Sequence, residues 1–186
     1  MNTIRIIGGK WRRRILHFPD SAGLRPTPDR VRETLFNWLG QDLSGLTCLD
    51  LFSGSGALGF EAASRGAAKV VMAEIVPPVL RALEENSRLL NASDQVEIVR
   101  TDAVRFVSSL RTTGFRFDVL FLDPPFKQGW LDRLSPLLPE ILVEDGTLYV
   151  ESESPLNVCG DWQTVRSGRA GQVFYHLMQR GESNDA

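Results

Sequence analysis

Cysteine and histidine are scarce in this chain. Cys48 and Cys159 lie far apart, and His17 and His176 are isolated. Two distant cysteines give no disulfide framework, and their spacing suits no zinc or other metal site, so reduced thiols and no bound metal are expected. Neither histidine has a neighbour that would mark it as catalytic. No apolar run approaches the ~20 residues that a membrane-spanning helix needs. The opening "MNTIRIIGGKWRRR" has basic residues but no long apolar stretch behind them, so a secretory signal is not expected. The expectation is a cytoplasmic protein without a membrane partner. Internal repeats, low-complexity tracts and long linkers are also missing.

What is present is ordinary in bulk and uneven in detail. A chain of 186 residues, 42% hydrophobic and 24% charged, fits one globular domain with a small appendage. The net charge of −2 hides an asymmetry. Residues 1–40 hold eight basic groups (Arg5, Lys10, Arg12, Arg13, Arg14, Arg25, Arg30, Arg32) against three acidic ones, whereas the rest holds thirteen basic and twenty acidic. A basic extension over 1–40, packed on an acidic body over 41–182, points to an anionic partner for the extension.

Residues 3–16 alternate as a β-hairpin would, with Gly8-Gly9 as its turn. A helix follows, with Thr27 as N-cap, Pro28 in the first turn and Val31, Leu35, Trp38 and Leu39 at helical spacing. From residue 47 strands and helices alternate. Strands are expected at 47–52, 69–75, 95–99, 117–123 and 146–152, and helices near 57–65, 77–91, 102–111 and 129–142. Strands 162–168 and 171–180 form a closing hairpin, and the tail "GESNDA" is expected to fray. Repeated βα units imply an α/β fold of Rossmann type. The sheet should be mostly parallel and seven-stranded, with helices on both faces and an antiparallel hairpin at the end.

"CLDLFSGSGALGFEA", residues 48–62, runs from strand through glycine loop to helix. Gly54, Gly56 and Gly59 match G-x-G-x-x-G, and Glu74 follows Gly54 by twenty residues at the end of the next strand. That spacing lets a ligand approach the backbone and gives a ribose diol an acceptor. The ligand need not be NAD. Asp50, four residues before Gly54, is badly placed for an anionic pyrophosphate and well placed for an ammonium and a sulfonium. S-adenosylmethionine carries both. Asp102 after the third strand could accept from an adenine amino group, cap the next helix, or do both. Ser55 and Ala103 complete the expected cofactor contacts.

"DVLFLDPPFKQGW", residues 118–130, leaves a buried strand through Asp123, Pro124, Pro125 and Phe126. In an open α/β sheet this stretch reaches the same crevice as the glycine loop. The Asp123 carboxylate and the carbonyls of Asp123 and Pro124 are acceptors, the prolines fix φ and offer no donor, and Phe126 gives a stacking face. Such a set suits an exocyclic amino group on a planar base. Accepting its hydrogens would favour a pyramidal nitrogen whose lone pair can attack a sulfonium methyl, with positioning and electrostatics as the main catalysis. A Pro-Cys nucleophile is absent, since neither cysteine follows a proline.

Asp-Pro-Pro-Phe resembles motif IV of the amino-group methyltransferases that act on nucleic acids. With "RIIGGKWRRRIL", "LRPTPDRVRETLFNWL", "LDLFSGSGALGFEAASRGA" and "FDVLFLDPPF", nearly the whole chain resembles the RsmD family. These are bacterial methyltransferases of guanine N2 in 16S ribosomal RNA. The resemblance implies a Rossmann-like methyltransferase domain with a short N-terminal extension. It implies a target in assembled or assembling small subunits and a place for Thr27 over the cofactor; a monomer is expected. The alternatives are an adenine-N6 DNA methyltransferase of the same chemistry, a small NAD-binding oxidoreductase, and a non-catalytic RNA-binding assembly factor.

Bases are reached by holding the flanking backbone. Lys10, Arg12, Arg13 and Arg14 are expected to hold phosphates, with Trp11 available for stacking. Arg25, Arg30 and Arg32 are weaker candidates, because helix arginines also form surface ion pairs.

Overall fold

The computed structural model describes residues 1–182. Residues 183–186, on which most of the expected fraying falls, lie outside the described residues.

One eight-stranded sheet organises the molecule, in the order β5-β4-β3-β6-β7-β10-β9-β8. Strands β3 (Thr47–Asp50), β4 (Lys69–Glu74), β5 (Val96–Arg100), β6 (Phe117–Leu122) and β7 (Leu142–Ser152) are mutually parallel. β10 (Val173–Arg180) pairs antiparallel with β7 on one side and with β9 (Trp162–Ala170) on the other. The seven expected strands are all present, and a two-residue strand, β8 (Val158–Cys159), adds an eighth at the edge.

Alternation along each strand divides the core into two layers. Cys48, Val70, Met72, Val119, Phe121 and Tyr149 face helices α1 (Asp29–Leu39), α2 (Ala57–Ser64) and α3 (Pro77–Leu89). Leu49, Val71, Ala73, Leu120, Leu122 and Val150 face α4 (Ala103–Arg111), α5 (Trp130–Leu134) and the 3₁₀ turns of Ser135–Glu140. A sheet covered on both faces explains why β6 reads as a near-continuous apolar run. All eight residues of α2 are buried, because this helix lies between the sheet and the N-terminal extension.

The expected helix over 129–142 is shorter than its apolar pattern suggests. α5 ends at Leu134, and Pro136 and Pro139 leave only 3₁₀ turns after it. Without N–H groups these prolines cannot continue an α-helical ladder.

The extension departs from expectation in two ways. Its hairpin pairs β1 (Asn2–Arg5) with β2 (Ile15–Phe18), so Gly8-Gly9 opens a long loop rather than a tight turn. A Cβ at Gly9 would stand 1.9 Å from the Ser64 carbonyl oxygen, and Lys10 N–H donates to that oxygen at 2.8 Å. The glycines serve a close approach to the end of α2. Thr27 is not the N-cap of α1 either. Pro28 holds that position without a side-chain cap, and the Thr27 hydroxyl is used elsewhere.

A buried ionic knot binds the extension to α2. The Glu61 carboxylate accepts from Ile7 N–H at 3.0 Å, Gly8 N–H at 2.9 Å, Arg32 at 3.2 Å and Arg65 at 3.0 Å. Arg32 also pairs with Asp29 and donates to the carbonyls of Thr27 and Arg5. Further along, His17 N–H donates to Asn86 of α3 and receives the Asn86 amide in return at its own carbonyl.

Candidate active site

The chain passes from β3 to β4 and β5 on one side, then returns to place β6 on the other side of β3. A crevice opens at such a reversal, beyond the carboxyl ends of the strands. Asp50 ends β3, Glu74 ends β4, and Asp123 follows β6, so three acids meet this edge.

The glycine loop lies between β3 and α2. Gly56 N-caps α2 in the left-handed region at φ 82°, and a Cβ there would strike Phe60 and Leu83. Ser53 N–H donates to the Ala73 carbonyl at 3.1 Å, fixing the loop to β4. Ser55 is buried and its hydroxyl accepts from Ala57 N–H at 3.3 Å. Gly54 lies under Leu24 of the extension, whose Cδ1 would be 2.8 Å from an added Cβ. The extension therefore roofs the loop.

Glu74 is half-buried and engaged by backbone. Oε2 accepts from Gly54 N–H at 3.1 Å, and Oε1 accepts from Ile75 and Val76 N–H at 2.8 and 2.9 Å. A carboxylate has about four lone-pair sites, so room remains for one more donor. Asp102 caps α4, accepting from Arg105 N–H at 2.9 Å, and Ala103 is the buried first residue of that helix. The capping role of Asp102 is thus observed.

Asp50 is 2% exposed, and its Oδ1 has no hydrogen-bond partner among the described residues. Burial pushes its carboxyl up to about 7, with Glu74 and Glu151 adding to the rise and the backbone N–H groups of Gly59 and Phe52 opposing it. An orphaned, buried carboxyl oxygen facing a crevice calls for a cationic donor. An ammonium group fits that need.

Asp123 is also held well above the usual carboxylate range, first by burial and then by the adjacent Glu151. Pro124 is buried, while Pro125 and Phe126 are exposed, Phe126 to 36%. An open cleft of about 490 Å³ is lined by the Pro124–Phe126 turn, Trp130 and the Glu151–Ser154 segment. Phe52, from the β3 side, meets Trp130 edge-on at 5.2 Å.

Glu151 was not among the residues singled out from the sequence. It is buried at the carboxyl end of β7, and its Oε1 accepts from the hydroxyls of Tyr149 at 2.8 Å and Thr27 at 3.0 Å. An acid closing a second apolar strand at the same edge was the available signal.

The basic residues separate into two groups. Lys10 to Arg14 lie where α2 and α3 end and β5 begins, which is the pole opposite the crevice. Lys10 Nζ donates to Gln95 at 2.6 Å, and an Arg14 guanidinium nitrogen donates to the Leu89 carbonyl at 2.9 Å. Trp11 is only 8% exposed and belongs to the core, with its backbone N–H on Ser64 Oγ, so it is not a stacking platform. Arg12 and Arg13 remain exposed. Arg32 is buried in the Glu61 knot and is withdrawn as an RNA contact. Arg25 and Arg30 are exposed and flank Thr27 at the crevice end.

The histidine and cysteines are structural. His176 is buried between the Val150 carbonyl and the Leu156 N–H, and both thiols are pushed up by burial, Cys48 to about 12 and Cys159 to about 11.

Comparison with known proteins agrees with this geometry. The family model described as "Conserved hypothetical protein 95" matches residues 4–179. The ribosomal RNA small subunit methyltransferase D of Escherichia coli (strain K12) is 44% identical over 97% of this chain and 93% of its own. The solved structure of the Escherichia coli protein yhhF superposes with a TM-score of 0.85 at 44% identity, covering 96% of this chain and 98% of that one. An RNA methyltransferase from Salinibacter ruber, solved with S-adenosyl-L-homocysteine, shares the fold with a TM-score of 0.67 at 21% identity over 86% of this chain and 95% of its own. The fold is the Rossmann-like methyltransferase fold, and the chain belongs to the family of the ribosomal RNA small subunit methyltransferases D.

Proposed function

We propose that this protein transfers a methyl group from S-adenosylmethionine to the exocyclic N2 amine of one guanine in 16S ribosomal RNA. The observation that carries the reading is the meeting of the orphaned Asp50 carboxyl, the glycine loop and the Asp123–Phe126 turn at one sheet edge. Bound there, S-adenosylmethionine supplies an electrophilic methyl group on a positively charged sulfur. Asp50 accepts from its ammonium, Glu74 from its ribose and Asp102 from its adenine, with Gly54, Ser55, Gly56 and Ala103 forming the walls.

The Asp123 carboxylate and the carbonyls of Asp123 and Pro124 accept from the hydrogens of the target amine. This leaves the nitrogen lone pair aimed at the methyl group, while Phe126 stacks on the base and the prolines hold the acceptors rigid. Asp123 or water then takes the proton released from nitrogen. Arg25 and Arg30 hold RNA beside the crevice, and Lys10, Arg12, Arg13 and Arg14 hold it at the far pole.

The substrate is a small subunit, assembled or assembling, and the enzyme is a cytoplasmic monomer whose residues 1–40 form an extension on the methyltransferase domain 41–182. Among the described residues no helix is long and apolar enough to cross a membrane. The test is incubation with labelled S-adenosylmethionine and naked 16S RNA, small subunits or DNA, followed by digestion. Label in N2-methylguanosine from subunits is expected. Label in N6-methyladenine of DNA would overturn the reading.

A further inference from the structure

Asp123 and Glu151 are neighbours by register. β6 and β7 run parallel with Leu122 opposite Val150, so the next residue of each strand, Asp123 and Glu151, emerges on the same face of the sheet. Glu151 is buried and Asp123 half-buried, and Glu151 is the nearest acidic influence on the Asp123 carboxyl. Two carboxylates cannot bond to each other unless one carries a proton. The hydroxyls of Tyr149 and Thr27 both donate to Glu151 Oε1, at 2.8 and 3.0 Å. Asp123, whose carboxyl is raised by burial and then by Glu151, is the member that holds the proton.

We infer that Glu151 is a positioning residue of the methyl-transfer site: it holds one proton in common with Asp123 and, with Thr27 and Tyr149 donating to it, sets when Asp123 is free to accept from the target amine. The inference rests on the methyl-transfer reading above.

The groups around the pair come from every element that packs there. Asp50 of β3 bears on Asp123, Tyr149 lies beside Glu151 on β7, Thr27 precedes α1, and Tyr175 of β10 stands behind Tyr149. The ionisable groups acting on Asp123, namely Glu151 and Asp50, are both acidic. A positive charge entering the crevice is therefore what releases the shared proton. During transfer, the nitrogen lone pair forms the new N–C bond and the S–C pair stays with sulfur. One N–H proton passes to the ionised carboxyls and then to water.

Two measurements test this on the intact protein. The first is calorimetric titration with S-adenosylmethionine at pH 7, in buffers of different ionisation enthalpy, which counts protons released on binding. The wild type should release more than Glu151→Gln, by up to about one proton, because Asp123 in that variant has lost the neighbour that most strongly holds its proton, leaving burial and Asp50.

The second is the pH dependence of single-turnover methyl transfer. Glu151→Gln should move the acidic limb down by about one pH unit or more. Tyr149→Phe, which removes a donor from the anion, should move it up. A residue that merely supported the fold would not give opposite shifts. If Glu151→Gln does not fold, Tyr149→Phe and Thr27→Val carry the test through their upward shifts.

Unchanged proton release and an unmoved limb, with Asp123→Asn inactive, would overturn the role of Glu151 alone. A wild-type rate in Asp123→Asn would overturn the role of Asp123 beneath it.

Discussion

Glu74 and Gly54, at opposite ends of the glycine fingerprint, are joined directly: Gly54 N–H donates to Glu74 Oε2 at 3.1 Å. The acid at the end of β4 therefore shapes the loop that it shares a ligand with. Glu74→Ala should weaken S-adenosylmethionine binding by about 1–3 kcal/mol, the scale of hydrogen bonds to a charged group. Titration calorimetry reads this, and affinity unchanged within error would remove Glu74 from the cofactor site.

Asp50 predicts a pH effect on stability. Its folded carboxyl is pushed up to about 7, against about 4 in an unfolded chain. The folded protein then binds more protons than the unfolded chain between these values. The contribution of this group is full below pH ~4 and is lost as pH rises through about 7, by up to about 4 kcal/mol. Asp123, raised in the same sense, adds to the slope. Asp50→Asn should flatten the decline of Tm with pH in the ligand-free protein and weaken cofactor binding. A variant with the wild-type slope would show that Asp50 ionises freely.

The ionic knot at Glu61 predicts a large loss. Glu61→Gln leaves buried Arg65 without its carboxylate and buried Arg32 with Asp29 alone. Breaking a buried pair in this way costs about 3–5 kcal/mol. Urea denaturation should show the midpoint falling accordingly. A change below about 1 kcal/mol would mean that the arginines find other partners.

Arg12 and Arg13 are exposed and form no ion pair among the described residues. Replacing both by alanine should reduce the slope of log affinity for RNA against log salt by up to ~0.7 for each lost phosphate contact. Cofactor affinity should be unchanged, because the loop lies at the pole opposite Asp50. The double variant Arg25→Ala/Arg30→Ala, at the crevice end, should also slow transfer at limiting subunit concentration. An unchanged salt slope in both would place the RNA surface elsewhere.

Much of this arrangement was legible in the chain. The run Cys48–Ala62 showed strand, loop and helix in order, and the periodicity from residue 47 onward matched the strands of the sheet. What was missed depended on distant contacts. Gly8-Gly9 looks like a hairpin turn locally, but Ser64 decides its use. Thr27 has the chemistry of a cap, yet Glu151, far along the chain, takes its hydroxyl. Trp11, set among cations, looked like a surface ring until α2 covered it. Pro136 and Pro139 were visible all along and should have shortened the last helix.

The reversal of strand order at β3 and β6 has a thermodynamic consequence. Asp50, Glu74, Asp123 and Glu151 reach the crevice from the ends of four strands that are joined through four crossovers, so the site is complete only when the sheet is. A partly folded chain with one strand out of place lacks part of that site. Affinity for the cofactor is thus confined to the finished sheet, and the ligand stabilises that state by mass action. Saturation becomes a measure of how many molecules have completed their topology.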